Sequence, residues 1–227
     1  TTLFRSNCQG KTTIRFVTMG DSQRWYDETE DFVKEINKRN DIDFVIHGGD
    51  MSDFGLTKEF LWQRDIMNGL NVPYVVLIGN HDCLGTGAET YKAVFGPTNF
   101  SFIAGNVKFV CLNTNALEYD YSEPVPNFTF MEQEITSRLD EFEKTVISMH
   151  ARPYTDVFND NVAKVFQHYI RQYPGIQVCT AAHTHHYQDV VIFDDGIHYV
   201  TSDCMDYRTY LVFTITPEKY EYELVKY

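Results

Sequence analysis

Six short runs rich in β-branched and aromatic residues recur along the chain: TIRFVTM, DFVIH, PYVVLI, VKFVCLN, TVISM and IQVCTA. Each is apolar at nearly every position, the pattern of a strand covered on both faces. Between the first two, Phe32, Val33 and Ile36 recur at helical spacing, and between the second and third Phe60, Leu61 and Met67 do the same. Strands alternating with helices in this way predict an α/β unit with a sheet packed between helix layers. Beyond residue 96 the strands crowd together, with one helix expected near 131–143 and another from about 160 to 172. In the latter, Val162, Val165, Phe166, Tyr169 and Ile170 make the core stripe, and His168 falls on the solvent side. The tail, YQDVVIF, IHYVTS, YLVFTI and YEYELV, reads as antiparallel strands joined by tight turns. There is no internal repeat and no Gly/Ser linker, so the expectation is one layered domain over 1–227 with two sheets, preceded by an irregular lead over 1–11.

Composition narrows the functional classes. With 19 Lys and Arg against 32 Asp and Glu, the formal charge is −13, which disfavours a broad nucleic-acid surface and a polybasic membrane anchor. A local cationic site inside an acidic shell stays open, and bound metal ions are one way to make it. No apolar run approaches the roughly 18–20 residues that span a bilayer. Thr1 at the start reads as a trimmed or partial chain, which leans the location toward the extracytoplasmic side while leaving the cytoplasm open. The five cysteines are odd in number and scattered, so no disulfide framework is indicated, and Cys111 and Cys179 inside apolar runs read as small buried hydrophobes. Asn99 and Asn127 begin N-x-S/T sequons, short patterns that arise readily by chance.

The chemistry gathers at strand ends. TIRFVTM is followed by Asp21 and Gln23, DFVIH by Asp50, PYVVLI by Asn80 and His81, TVISM by His150, and IQVCTAA by His183 and His185. In α/β sheets the carboxyl ends of the strands are where ligand sites assemble. Each residue alone has a plain structural reading as a turn residue or a hydrogen-bonded histidine. Two imidazoles one residue apart, at 183 and 185, would repel when both are protonated, and a shared metal environment answers that.

Together these segments resemble the calcineurin-like metallophosphoesterases, whose pattern is D-x-H, GDxxD, GNH followed by Asp or Glu, a lone strand-end His, and GHxH. Here they stand as Asp21-Ser22-Gln23, Gly49-Asp50-Met51-Ser52-Asp53, Gly79-Asn80-His81-Asp82, His150, and Ala182-His183-Thr184-His185, spanning residues 21–185. Two positions depart from the pattern: Gln23 replaces an imidazole by an amide oxygen, a neutral and weaker ligand, and Ala182 replaces a glycine. The alanine costs little where the backbone needs no positive φ.

The resemblance implies a four-layer α/β/β/α sandwich of two mixed sheets flanked by helices. It also implies two divalent or trivalent metal ions bridged by Asp50. One would be held by Asp21, Gln23 or a water in its place, Asp50 and His185, and the other by Asp50, Asn80, His150 and His183. Carboxylate, amide and imidazole donors without thiolate suit Mn, Fe or Zn. A bridging hydroxide would attack phosphorus, with His81 as general acid supported by Asp53, and Arg152 contacting a phosphate oxygen together with Asn80 and His81. Asp82 is expected to orient a ligand from behind, and His47, His186 and His198 to be structural or to support a ligand in the same way.

The implied function is a phosphatase acting on a phosphorylated small molecule or a phosphoprotein. A phosphodiesterase or pyrophosphohydrolase on the same metals, and a catalytically silent member that binds a phospho-ligand or a partner, are the alternatives. The glutamine is expected to weaken the first metal position or to tilt it toward harder ions such as Mn²⁺. The loops over Tyr119–Phe130 and Asp203–Arg208 are expected to border the pocket.

Overall fold

The computed structural model describes residues 8–119 and 122–227. The lead expected over 1–11 therefore falls largely outside the described residues; of its remainder, Cys8 is buried in the core and Lys11 pairs with Asp43. Eleven strands are described, in chain order β1 (Ile14–Met19), β2 (Phe44–His47), β3 (Tyr74–Val76), β4 (Phe100–Ala104), β5 (Val107–Leu112), β6 (Lys144–Met149), β7 (Ile176–Ala181), β8 (Gln188–Val191), β9 (His198–Thr201), β10 (Thr209–Ile215) and β11 (Tyr220–Lys226). The helices are α1 (Tyr26–Ile36), α2 (Thr57–Met67), α3 (Gly87–Phe95), α4 (Phe128–Thr136) and α5 (Ala163–Ile170).

The strands form two mixed sheets, ordered β11-β10-β1-β2-β3 and β4-β5-β6-β7-β9-β8. β1, β2 and β3 run parallel in the first, and β5, β6, β7 and β9 in the second. Side-chain alternation explains the layering. On β1, Ile14 and Phe16 face the second sheet while Val17 and Met19 face α1 and α2; on β5, Phe109 and Cys111 face the first sheet while Val110 and Leu112 face α4 and α5. Strands buried on both faces need apolar residues at both parities, which is why their sequences read as continuous hydrophobic runs. The result is the expected helix-sheet-sheet-helix sandwich.

Between the sheets an aromatic cluster carries the contact. Phe109 meets Phe16 edge-on at 5.0 Å and Phe44 edge-on at 5.1 Å, and stacks on Phe102 at 5.0 Å. All four rings are buried, so each contributes both area and ring-on-ring geometry.

Three expectations need correction. The helix placed near 131–143 is α4, which ends at Thr136; Lys108, fully buried, reaches the last-turn carbonyl of Glu134 and the Ser137 hydroxyl, and its salt bridge to the Glu134 carboxylate neutralises it there. The four tail strands are not one meander. β8 and β9 close the edge of the second sheet, whereas β10 crosses to pair antiparallel with β1 and is followed by β11. Both pairs are hairpins locally, and the break between them is invisible to local pattern. Val165, assigned to the core stripe of α5, is 46% exposed; Phe166 and Ile170 carry the burial.

Phe109→Ala is expected to destabilise the fold by about 3–5 kcal/mol, because it removes the ring that touches three others between the sheets. Urea unfolding of the purified variant against the parent measures this.

Candidate metal centre

The loops that follow β1, β2, β3, β6 and β7 meet above the seam between the two sheets. Backbone bonds zip the first two together: Asp21 N donates to Gly49 O, and the Ser22 and Gln23 amides both donate to Asp50 O, each at 3.0 Å. From the second sheet, Ala182 N donates to His150 O at 2.9 Å, which sets His150 beside the His183 turn. The Ala182 methyl packs directly over Gly20 and Gly48, where any side chain would clash with it. Ala182 has no positive φ, so the alanine is accommodated where the family pattern carries glycine. Left-handed backbone falls instead on four of the ligand candidates. Asp21, Asp50, His183 and His185 all have left-handed φ, between 50° and 74°. Non-glycine residues in this region are uncommon and cluster where a site over-determines the backbone.

Glycines of the motifs make room for this. A Cβ on Gly79 would lie 2.0 Å from Asp50 Oδ1, and one on Gly49, whose φ is 106°, would lie 2.7 Å from His150 Nδ1. Asp82 is fully buried and locks the arrangement: its Oδ2 accepts from Asp50 N and Gly79 N, and its Oδ1 from the amide and hydroxyl of Ser52, at 2.8–2.9 Å. Its role as an orienting carboxylate thus acts through the backbone that carries Asp50.

The side chains expected as ligands converge. One oxygen each of Asp21 and Asp50 and one ring nitrogen of His150 lie within 4.8 Å of one another, all buried. Asn80 Oδ1 is 3.0 Å from both His150 Nε2 and His183 Nδ1. His150 Nε2 is 3.4 Å from Asp50 Oδ2, and His185 Nε2 is 3.6 Å from Asp21 Oδ1. Gln23 is buried beside them, its Nε2 turned to Asp50 Oδ2 at 3.4 Å. Asp21 Oδ1 and Gln23 Oε1 are buried acceptors without a hydrogen-bond donor. Buried acceptors of this kind are costly unless something positive meets them, so the donor set fits cations.

Electrostatics agree. Burial pushes the Asp21 carboxyl up to about 7, with Asp50 and Asp82 adding to the rise against the opposing charge of His150. At Asp50 burial also acts upward, but the charge and hydrogen bond of His150 outweigh it and the carboxyl lies below its ordinary value. At His150 burial acts downward, and the attraction of Asp50 and Asp21 prevails, raising it to about 9. His183 lies below its ordinary value through burial and the charge of His150. His185 lies low through burial first, with His150, His81 and Arg24 adding to the effect against Asp50.

The remaining sequence candidates lie as follows. His81 Nδ1–H donates to the Asp53 carbonyl at 2.8 Å, and the Asp53 carboxylate is 3.6 Å away, itself ion-paired with Arg24. Arg152 donates to Gln188 Oε1 at 2.7 Å and to Pro153 O at 3.1 Å. The segment 203–208 does border the cluster, since Met205 N donates to Asp21 O at 3.3 Å. His186 packs edge-on against Tyr207, and His198 pairs with Asp189 at 2.6 Å. Two residues escaped the sequence reading. Asp156 is bonded through Oδ1 to His183 Nε2 at 2.6 Å, and Arg24 sits on Asp53; neither lies in a motif, and only the fold brings them in.

His47 is buried and neutral: its Nε2–H donates to Ser22 Oγ at 2.8 Å, its Nδ1 accepts from Gly49 N at 3.1 Å, and burial pushes its pKa down to about 3. The unfolded chain therefore takes up a proton near 6.5 that the folded chain refuses until about 3. This contribution to stability is present above pH 6.5 and declines as pH falls toward 3, by up to about 1.4 kcal/mol per pH unit. Denaturant titrations of the parent and of His47→Gln between pH 7.5 and 5, on a scale of ~1 kcal/mol per group, are expected to give a shallower slope for the variant.

No curated protein matches the chain in sequence. Among solved structures, a dimetal phosphatase from Danio rerio superposes with a TM-score of 0.72 at 11% identity, over 95% of this chain and 98% of that one. GAP50, described as the anchor in the inner membrane complex of Plasmodium, superposes at 0.70 and 11% identity over 95% and 85%. The calcineurin-like phosphoesterase YfkN from Bacillus subtilis gives 0.55 and 12% over 95% and 91%. At these identities the likeness is one of fold. The sequence profile for calcineurin-like phosphoesterases matches residues 14–187, which include every strand-end motif described above. The chain therefore belongs to the calcineurin-like phosphoesterase family and is a metal-dependent phosphoric ester hydrolase.

Proposed function

We propose that this protein hydrolyses phosphomonoesters at a dinuclear centre held by Asp21, Gln23, Asp50 and His185 on one side and by Asp50, Asn80, His150 and His183 on the other. The observation that carries this reading is the convergence of Asp21, Asp50 and His150 within 4.8 Å, beside Asp21 Oδ1 and Gln23 Oε1, buried acceptors that no hydrogen-bond donor meets. Asp50 is the bridging candidate because its Oδ2 faces both Gln23 and His150 while its Oδ1 accepts from His81 N at 2.9 Å. When bound, the ions would neutralise charge on the phosphoryl oxygens and acidify a water to serve as nucleophile.

The protein supplies the rest. With Asp156 accepting from Nε2–H of His183, the Nδ1 lone pair would be free for a cation shared with Asn80 Oδ1, 3.0 Å away, the arrangement by which outer carboxylates orient metal-binding imidazoles. His150 is oriented in the same way, with Nδ1–H donating to Gly48 O at 2.9 Å. His81 has Nδ1 committed to the Asp53 carbonyl, so a proton on its Nε2 is the one available to the leaving oxygen.

Stripping metal with a chelator is expected to abolish hydrolysis of p-nitrophenyl phosphate, and Mn²⁺, Zn²⁺ or Fe to restore it. Faster turnover of bis(p-nitrophenyl) phosphate than of the monoester would replace the monoesterase assignment by a diesterase, and no turnover of either ester at full metal loading would overturn hydrolysis here. Gln23→His is expected to tighten binding at the first metal position about 10- to 100-fold and to move its preference toward Zn²⁺. Metal titration by calorimetry with Mn²⁺ and Zn²⁺ measures both, and equal affinities in parent and variant would remove Gln23 from the ligand set.

A further inference from the structure

We propose that Arg24 is a substrate-binding residue of this site, its free N–H donors engaging a non-bridging oxygen of the phosphoryl group. The inference rests on the phosphohydrolase reading above. Arg24 directly follows the ligand candidate Gln23 in the turn that carries Asp21, and its backbone takes a left-handed φ of 62°. Its guanidinium pairs through Nη2 with Asp53 Oδ1, the oxygen that also lies 3.6 Å from His81 Nδ1. Arg24 and the general-acid candidate thus touch the same carboxylate atom.

The pair is lopsided. The Asp53 side chain is 14% exposed and that of Arg24 56%, and among the described residues Nε and Nη1 of Arg24 have no protein partner. An exposed ion pair of this kind is weak, whereas a guanidinium fork on a phosphate is a strong, charge-assisted contact. Asp53 therefore holds Arg24 on the carboxylate that also faces His81, without using up its donors. Arg152 is differently placed: both of its terminal nitrogens are bonded to Gln188 and Pro153, and its Nε is buried without a partner. In a chain of net charge −13, a guanidinium with donors to spare beside His81 is the side chain suited to an anion. A monoester dianion gains more from it than a diester monoanion, so Arg24 biases the site toward monoesters.

The test uses the full chain reconstituted with Mn²⁺. Arg24→Ala is expected to weaken orthophosphate binding, read by calorimetry, and to raise KM for p-nitrophenyl phosphate, each about 10- to 100-fold, with metal content and kcat little changed. Arg24→Lys is expected to recover part of the affinity, since it restores charge without the fork. The KM for bis(p-nitrophenyl) phosphate is expected to move less. Unchanged orthophosphate affinity in Arg24→Ala overturns the inference, as does a loss confined to kcat, which would mean that Arg24 acts only through Asp53 and His81. Arg24→Gln carries the same comparison should the alanine variant not fold. A parent chain that turns over ester while Arg24→Ala behaves identically sinks this inference alone. A fully metal-loaded parent that neither binds orthophosphate nor turns over ester sinks the hydrolase reading with it.

Discussion

The site depends on one buried carboxylate that belongs to no ligand set. Asp82 accepts four donors, from Asp50 N, Gly79 N, Ser52 N and Ser52 Oγ, and has no exposed surface. Those bonds fasten the turn after β2 to the turn after β3. Without them the left-handed backbone at Asp50 would have no reason to persist, because its strain of roughly 1–3 kcal/mol must be offset by surrounding contacts. The close approach at Gly79, where even a methyl would collide with Asp50, follows from the same fastening. Burial and the neighbouring Asp50 raise the Asp82 carboxyl to about 6, and the donors oppose that rise.

A second constraint is charge. Asp21, Asp50 and His150 are buried together, and their protonation tendencies pull against one another: Asp21 is driven toward its neutral acid and His150 toward its cation. Ligation requires the opposite assignment, a carboxylate and a neutral imidazole. Protons and a cation bound at these ligand candidates would therefore compete. Supporting bonds on the far side of each ring, from Gly48 O to His150 and from Asp156 to His183, fix which nitrogen faces inward whichever of the two is bound.

The surrounding fold supplies the reach. β1 and β2 lie in one sheet and β6 and β7 in the other, so Asp21 and Asp50 approach from one side and His150, His183 and His185 from the other. What keeps the two halves in register is the aromatic layer around Phe109, together with the small-residue contact of Ala182 on Gly20 and Gly48. Substitution of glycine by alanine in the last motif is thus absorbed by two glycines that lie far from it in sequence.

Much of this was legible in the sequence. The doubly apolar strand runs announced a layered α/β fold, and the polar residues closing those runs named the cluster, because a strand of fixed direction delivers its last residue to a fixed edge. Gln23 was visible as a departure, and His47 as a structural histidine. Local pattern failed where the deciding contact was remote. It ran α4 past Thr136, where Lys108 meets the helix end from another strand, and it joined β9 to β10 although β10 returns to pair with β1. It could not see Arg24 on Asp53 or Asp156 on His183, since neither pair shares an element or a spacing rule. Hydrophobic period and motif order are properties of the chain, and by themselves they determined the fold class and the identity of the strand-end donors. Which side chains touch and which atoms remain unpaired were decided only when the two sheets closed on each other, because burial and approach distance exist only in the folded molecule.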